Sequence, residues 1–219
     1  RVGFIPREEI EFTDGWHVMG LQGTGSYDYE VRQVLVPDGF HFQLFGAEAR
    51  RGNPLFRMGM MPMTAAGHAA FALGVGRRAL DELRDMATSR QRMGDATPLS
   101  GKPTFQVGYM QAEAKLRAAR LLVLDSFEDA YQTVRAGGDV SLEQRALLRA
   151  ATNLATDAAR EACAFAHDKA GSVAIRDGTV LQRCFRDMHT GSQHAFISER
   201  VYADCAQALL GTVEEVPGL

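Results

Sequence analysis

Residues 62–93 read PMTAAGHAAFALGVGRRALDELRDMATSRQRM, and this stretch decides the fold of the chain. Its alanines and leucines recur at the spacing of an amphipathic helix. Pro62 is acceptable in a first helical turn, and Gly94 follows the last one. The stretch therefore predicts one long helix.

Three further helical stretches follow: residues 104–135, 142–169 and 179–210. Glycines follow each of them, as expected where helices end. Ser141 and Gln144 form a capping-box signature at the start of the stretch 142–169. Four long helices joined by connections of moderate length predict an antiparallel up-down four-helix bundle over residues 49–219.

The part before the bundle, residues 1–48, has β character. Residues 9–42 contain the alternation Tyr27, Tyr29 and Val31, and a glycine-rich loop that predicts a turn between two strands. So few strands are marginal alone, because an isolated hairpin is barely stable in water. Either these strands lie on the bundle, or the rest of their sheet is absent from this chain. In both cases the chain is mainly α.

Composition excludes several classes of function. The 24 basic and 27 acidic residues give a net charge of -3 without a basic run, so neither nucleic acid nor an anionic membrane is an expected partner. No apolar run is long enough to span a bilayer and no secretory signal is present, which predicts a cytoplasmic protein. The three cysteines are too far apart for a paired zinc motif. His189 and His194 are five positions apart, which is not a one-face helical spacing, so no metal site is expected.

Three motifs occur in a fixed order: GWHVMGLQGTGSYDYEVRQVLVPDGF (15–40), ATSRQRMG (87–94) and LQRCFRDM (181–188). In this order they resemble the acyl-CoA dehydrogenase superfamily from its middle domain to its C-terminus. The resemblance implies that an N-terminal helical domain and the first half of the β domain belong to the family pattern but not to this sequence. Residues 1–48 are then expected to be a remnant, the C-terminal strand-turn-strand of an antiparallel β domain. It also implies that Arg186 and Asp187, the Arg-Asp signature, form a structural pair.

Two chemistries compete within that superfamily. A dehydrogenase needs a carboxylate base to remove a proton from an acyl thioester. The family places it eight residues after the aspartate of the signature or on the first bundle helix. Ala195 occupies the first position, and the second falls near Met61, where no acidic residue stands.

The other chemistry is that of the flavin-dependent monooxygenases, the oxygenase components of two-component hydroxylases. Residues 98–120 are similar to the second helix of those enzymes, which also place a histidine seven residues after the signature aspartate. Counting from Asp187, that residue is His194. In such an enzyme the activated oxygen must reach the substrate before it is lost as hydrogen peroxide, and an imidazole in a dry pocket favours this.

The monooxygenase resemblance implies a site and partners. His194 is the expected catalytic residue beside the ring of a reduced flavin, FMN or FAD. Arg90 is expected to hold flavin phosphate, and Gly171 with Ser172 to lie against the flavin of a neighbouring subunit. A solvated cation at a helix end explains Arg90 equally well, and a helix cap explains Gly171. The implied partners are a separate flavin reductase, an apolar or aromatic small-molecule substrate and further copies in a homotetramer.

Two alternatives to this function stay open at the level of sequence. One is an acyl-CoA dehydrogenase with a relocated catalytic base. The other is a non-catalytic helical oligomerisation module.

Overall fold

The computed structural model describes residues 1–44, 52–91, 93–94, 96–216 and 218–219. Four short strands come first: β1 (Val2–Gly3), β2 (Glu11–Phe12), β3 (Tyr29–Glu30) and β4 (His41–Phe42). Five α-helices follow: α1 (Met60–Ser89), α2 (Pro103–Arg135), α3 (Leu142–Ala170), α4 (Val180–Gly191) and α5 (Glu199–Leu209). The mainly helical class with a small antiparallel β part is confirmed. None of the helices in the described ranges has the length and apolar character needed to cross a membrane.

The first four helices alternate in direction, as the sequence predicts. Arg77 on α1 pairs with Glu113 on α2, at 2.6 Å. Thr152 on α3 donates a hydrogen bond to the Ala65 carbonyl on α1, and further along both helices Ala159 lies against Gly76, so α1 and α3 are parallel. Helix α2 runs the other way, because Lys115 pairs with Glu161 of α3 while Asp129 is bonded to Gln144. The arrangement is an up-down bundle.

Helix α3 lies at the centre of the bundle because small side chains let its neighbours approach. Fourteen of its 29 residues are buried, and most of these are alanines. At Gly76 on α1 an added Cβ would be 3.0 Å from the Cα of Ala159, so the two backbones are nearly in contact. This alanine-rich packing also explains why the helical pattern is so strong in the sequence.

The fourth helical stretch, predicted to be continuous over 179–210, is split into α4 and α5. A turn over residues 192–198 separates them. Gly191, at the end of α4, is pressed against Phe71 of α1, where a Cβ would be 2.5 Å from the ring. A larger side chain at residue 191 would clash with Phe71, so glycine lets the end of α4 approach α1 this closely.

The strands pair as two nested antiparallel ladders, β1 with β4 and β2 with β3. Each ladder is only two residues long, shorter than the alternation in the sequence predicts. The predicted domain boundary between residues 48 and 49 lies outside the described residues and stays a prediction.

The loop between β2 and β3 is clasped to α4. Asp187 accepts a hydrogen bond of 2.7 Å from the Leu21 amide, and Arg186 donates one of 2.8 Å to the Met19 carbonyl. Between them Gly20 is buried, and a Cβ there would be 2.3 Å from the Arg186 carbonyl oxygen. The Arg-Asp signature is thus structural, but its two side chains bind the loop rather than each other.

We predict that Gly20→Ala lowers the free energy of unfolding by about 1–3 kcal/mol, because the methyl group forces the loop away from α4. Urea unfolding followed by the fluorescence of Trp16 would measure this. Gly23→Ala is the matched control, because a Cβ at Gly23 has no neighbour within 4 Å and should change stability by less than about 0.5 kcal/mol. Equal effects of the two variants would contradict the prediction.

Candidate active site

A cavity of about 660 Å³ opens where the clasped loop meets α1, the end of α4 and the following turn. That volume is within the range of about 300–1,000 Å³ typical of small-molecule sites. Its walls are mostly apolar, and the residues that line it are Trp16, Val18, Leu21, Thr24, Ser26, Thr64, Gly67, His68, Phe71, Thr190, Gly191, Gln193 and His194.

Two polar side chains of the loop wall, Trp16 and Thr24, are hydrogen-bonded within the loop, and the Ser26 hydroxyl also lines the cavity. Leu21 adopts a left-handed conformation with φ of 54°, which turns its carbonyl back into the loop. That carbonyl accepts hydrogen bonds from the Trp16 indole at 3.2 Å and from the Thr24 hydroxyl at 2.9 Å. The loop therefore offers the cavity mainly an indole ring and aliphatic groups.

The α1 wall consists of Thr64, Gly67, His68 and Phe71, which share one helical face by their spacing. The Thr64 hydroxyl is bonded to the Met60 carbonyl, which leaves His68 as the polar group of this wall with free hydrogen-bonding capacity. Gly67 leaves room beside it.

His194 lies in the turn after α4, not on a helix. Its Nδ1 accepts a hydrogen bond of 3.1 Å from the Phe196 amide. Because Nδ1 is the acceptor, the neutral ring carries its proton on Nε2. His194 thus offers the cavity an N–H donor, which agrees with the position that the sequence resemblance gives it.

The ring of His68 packs directly against the ring of His194. Its ring centroid is 4.6 Å from that of His194, and its ring stacks on Phe196 with an interplanar angle of 11°. Burial, and then the nearby His194 and Arg149, lower the pKa of His68 below its ordinary value of 6.5. His68 is consequently neutral near pH 7.

Arg149, on α3, packs against Phe196. Its guanidinium carbon lies 3.3 Å from the centroid of the Phe196 ring, and Nη2 donates to the Phe196 carbonyl at 2.9 Å. Only 5% of Arg149 is exposed, and its Nε and Nη1 have no partner among the described atoms. Burial lowers the pKa of Arg149 to about 10, so it remains a cation at neutral pH.

The other predicted site residues are not brought to this cavity. Arg90 caps the far end of α1, in a separate cleft that also includes Val173. Along the helix axis it is about 33 Å from His68, at about 1.5 Å per residue. Gly171 caps α3 with φ of 58°, and Ser172 beside it is exposed. Within one chain, His194 and Arg90 therefore cannot contact the same flavin ring.

Sequence reasoning missed His68, Phe196 and Arg149. For His68 a signal existed, since Thr64, Gly67 and His68 interrupt an alanine-rich helix on one face. Arg149 and Phe196 gave none, because their contacts depend on the turn that splits the fourth helical stretch. His189, the other half of the histidine pair considered in the sequence, packs on Phe185 instead.

Residues 66–199, more than half of the chain, match the family described as "Acyl-CoA dehydrogenase, C-terminal domain". The chain belongs to this family. Its resemblance within the acyl-CoA dehydrogenase superfamily is to oxygenase components of flavin-dependent monooxygenases.

Indole-3-acetate monooxygenase of Pseudomonas putida is 32% identical over 218 residues, covering 100% of this chain and 56% of that protein. The HsaA oxygenase subunit of Mycobacterium tuberculosis is 27% identical, with 87% of this chain and 50% of that protein covered. The chain spans about half the length of the curated relatives it matches.

Solved structures agree in fold. The crystal structure of M. tuberculosis HsaA superposes with a TM-score of 0.87 at 26% identity, covering 99% of this chain and 57% of that one. XiaF from Streptomyces, solved with FADH2 and glycerol, also gives 0.87, at 21% identity with 99% and 57% covered, which shows the fold alone.

The cavity fits the ring end of a flavin but not its phosphate end. Trp16 and Phe71 supply flat apolar walls, and His68 and His194 supply polar contacts for ring heteroatoms. No Lys or Arg is among the lining residues in the described part of the chain, so a phosphate group would need cations from elsewhere. Arg90 of a second copy is one candidate, as the sequence resemblance implies.

We predict a pH dependence of stability from His68. The pKa of His68 is lowered in the folded chain, so at and below about pH 6.5 the unfolded chain binds more protons than the folded chain. The free energy of unfolding therefore decreases as the pH is lowered through this range. Well above pH 6.5 the stabilising contribution of neutral His68 is fully present. Urea unfolding at pH 7.5 and 5.5 should show a smaller pH-dependent loss in His68→Gln than in the wild type. An identical loss in both would refute the assignment.

Proposed function

We propose that the chain carries the C-terminal half of the active site of a flavin-dependent monooxygenase, an oxygenase component that acts on a small apolar or aromatic molecule. The single observation that carries the proposal is the composition of the cavity. It holds a histidine donor, His194, and no Asp or Glu is among its lining residues in the described ranges. Ala195 stands where the family's dehydrogenases keep a carboxylate.

Each part of the cavity has a task in this proposal. A bound reduced flavin supplies the electrons with which oxygen is activated. Trp16 and Phe71 hold flat rings by apolar contact and keep water away from them. His194 donates a hydrogen bond from Nε2 to the reacting oxygen, and the Phe196 amide keeps that nitrogen aimed into the cavity.

The relatives support reduced flavin and a separate reductase. HsaA is named an oxygenase subunit, which implies a partner that reduces the flavin. XiaF was solved with FADH2. We infer the same two requirements for this chain, with FMN and FAD both to be tested.

The alternative dehydrogenase function would need a carboxylate that reaches the cavity, and the described lining provides none. A non-catalytic helical module would need no ligand cavity between loop and bundle at all. Both alternatives are outcomes of the flavin test below.

We also propose that pairs of copies associate through α2, as one of the interfaces of the homotetramer, a dimer of dimers, that the resemblance implies. Val107 and Leu121, and likewise Met110 and Leu124, are separated by 14 residues, which is two heptads. All four are 50–64% exposed and lie opposite the buried face of α2. Such an apolar stripe on a helix fits the same stripe of a second copy.

We predict that the chain binds reduced flavin and that this is visible through Trp16, its only tryptophan. Anaerobic titration with FMNH2 and with FADH2 should quench the Trp16 fluorescence to saturation with at least one of them. Admitting oxygen should then release hydrogen peroxide in the absence of substrate. Quenching instead by oxidised flavin plus an acyl-CoA, with bleaching of the flavin, would favour the dehydrogenase. No quenching by any flavin would favour the non-catalytic module.

Two variants sharpen this experiment. His194→Asn retains an acceptor for the Phe196 amide but loses the Nε2 donor, so we expect peroxide release to become about tenfold faster with unchanged flavin affinity. His189→Asn, on α4 five residues before His194 and outside the lining of the cavity, is the control and should behave as wild type. Equal peroxide rates in both variants would exclude the role proposed for His194.

For the assembly, light scattering should give four times the chain mass for the wild type and a smaller mass for the double variant Val107→Lys, Leu121→Lys. Leu35→Lys is the control, because Leu35 is exposed but lies outside the stripe. A wild-type monomer, or loss of assembly only in the control, would contradict the proposal.

A further inference from the structure

A second cavity, the rear cleft, lies behind the turn that carries His194. It has a volume of about 500 Å³ and opens between α3, this turn and the start of α5. Ser192 and Ser198 of the turn line it, whereas Gln193 and His194 of the same turn line the first cavity. One turn thus separates the rear cleft from the proposed flavin site. Side chains of α3 and α5 complete the rear cleft: Asn153, Asp157, Arg160, Glu161, Glu199 and Tyr202.

Asn153 brings a buried acceptor without a partner to the rear cleft. Only 2% of this residue is exposed. Its Nδ2 donates a hydrogen bond of 2.8 Å to the Ser198 carbonyl, which fixes the orientation of the amide. No group in the described part of the chain donates to its Oδ1. A buried acceptor without a donor costs stability, so a ligand that supplies a donor is favoured here.

Two further acceptors stand beside Asn153 without partners. Ser198 is the N-cap residue of α5, but its side chain makes no capping hydrogen bond. Glu199 follows it in the first turn, and its carboxylate has neither a hydrogen bond nor an ion pair with any residue in the described ranges. The rear cleft therefore combines an amide oxygen, a hydroxyl and a carboxylate at one end of α5.

The other acidic residues of the rear cleft are already paired. Asp157 accepts hydrogen bonds from the Tyr202 hydroxyl at 3.1 Å and from Nη2 of Arg160 at 3.2 Å. Burial, and then the nearby Asp157, raise the pKa of Tyr202, so its hydroxyl keeps its proton and remains the donor. Glu161 forms an ion pair with a lysine of α2. Within the described residues of the cleft, the uncompensated negative charge is thus that of Glu199.

This set of groups selects among classes of ligand. The N-terminus of a helix attracts anions, but Glu199 already supplies a negative charge to the first turn of α5, and Asn153 presents an oxygen. A metal ion is not favoured, because the described residues contain no group of three or more possible metal ligands. A primary ammonium carries one positive charge and three N–H donors, which matches one carboxylate and three acceptors.

We propose that the rear cleft binds the primary ammonium group of a small molecule, which donates hydrogen bonds to Oδ1 of Asn153, the Ser198 hydroxyl and the Glu199 carboxylate. Oδ1 is covered in this conformation, so a rotation of a neighbouring exposed side chain such as Ser198 accompanies binding. The volume of the cleft leaves room for the rest of a small ligand. The site needs no flavin and goes beyond the proposed function.

The test compares 4-amino-1-butanol with 1,4-butanediol, in which a neutral hydroxyl replaces the ammonium. Saturation-transfer NMR of each compound, titrated against the flavin-free chain at pH 7.5, gives the two affinities. We expect saturable binding of the amine and at least tenfold weaker binding of the diol, because the diol loses the charge-assisted hydrogen bond to Glu199.

Variants assign the binding to the rear cleft. Glu199→Gln removes the charge at nearly constant size and should weaken amine binding about tenfold. Glu143→Gln is the matched control: Glu143 is also exposed in the first turn of a helix, α3, but does not line the cleft, so the affinity should not change. Asn153→Ala removes the buried acceptor and should also weaken binding, with circular dichroism to verify that the variant is folded.

Three outcomes would overturn the proposal: equal affinities for the amine and the diol in the wild type, an unchanged amine affinity in Glu199→Gln, or no binding of either compound. Displacement of the amine by inorganic phosphate at equal ionic strength would also overturn it and make the start of α5 an anion site. The result is independent of the proposed function. Quenching of Trp16 by reduced flavin without amine binding removes only the rear cleft site, and amine binding without quenching removes only the monooxygenase.

Discussion

The clasp between the β2–β3 loop and α4 is the contact on which the rest of the site depends. Asp187 and Arg186 each hold one backbone group of the loop, and the buried Gly20 lets the two backbones approach. Without this contact Trp16 would have no fixed place and the cavity would lose a wall. Short two-residue ladders cannot supply that rigidity, so the helical bundle orders the loop.

The same helix that makes the clasp also delivers His194. From Asp187 the helix continues for one more turn and ends at Gly191, which lies against Phe71 of α1. The turn that results carries His194 and Phe196 to the cavity. The seven-residue spacing from aspartate to histidine, which the sequence resemblance used as a signature, thus has a structural explanation. Asp187 fixes the loop that forms one wall of the cavity, and His194, seven residues later, faces that wall.

The sequence was sufficient to predict the bundle, because alanine-rich periodicity and the following glycines are local signals. It failed at residues 192–198, where the composition is compatible with a helix but the chain forms a turn. His194 was predicted from the family pattern and lies at the cavity. His68 was not predicted, because it is a single polar residue in a helix. Arg149 was not predicted either, because it acts through Phe196, and their contact joins distant parts of the chain.

The charges around the histidines favour hydrogen bonding over proton removal. A base that abstracts a proton gains from a nearby carboxylate, but Ala195 is neutral and no acidic residue is among the described lining of the cavity. Arg149 is instead a buried cation with unpaired N–H groups, an arrangement that costs stability. It contributes to lowering the pKa of His68, and it holds Phe196, whose ring stacks on His68 and whose amide is bonded to His194. Burial, the neighbouring His194 and this cation together lower the pKa of His68, which keeps its ring neutral near pH 7 and leaves one of its nitrogens able to accept a hydrogen bond.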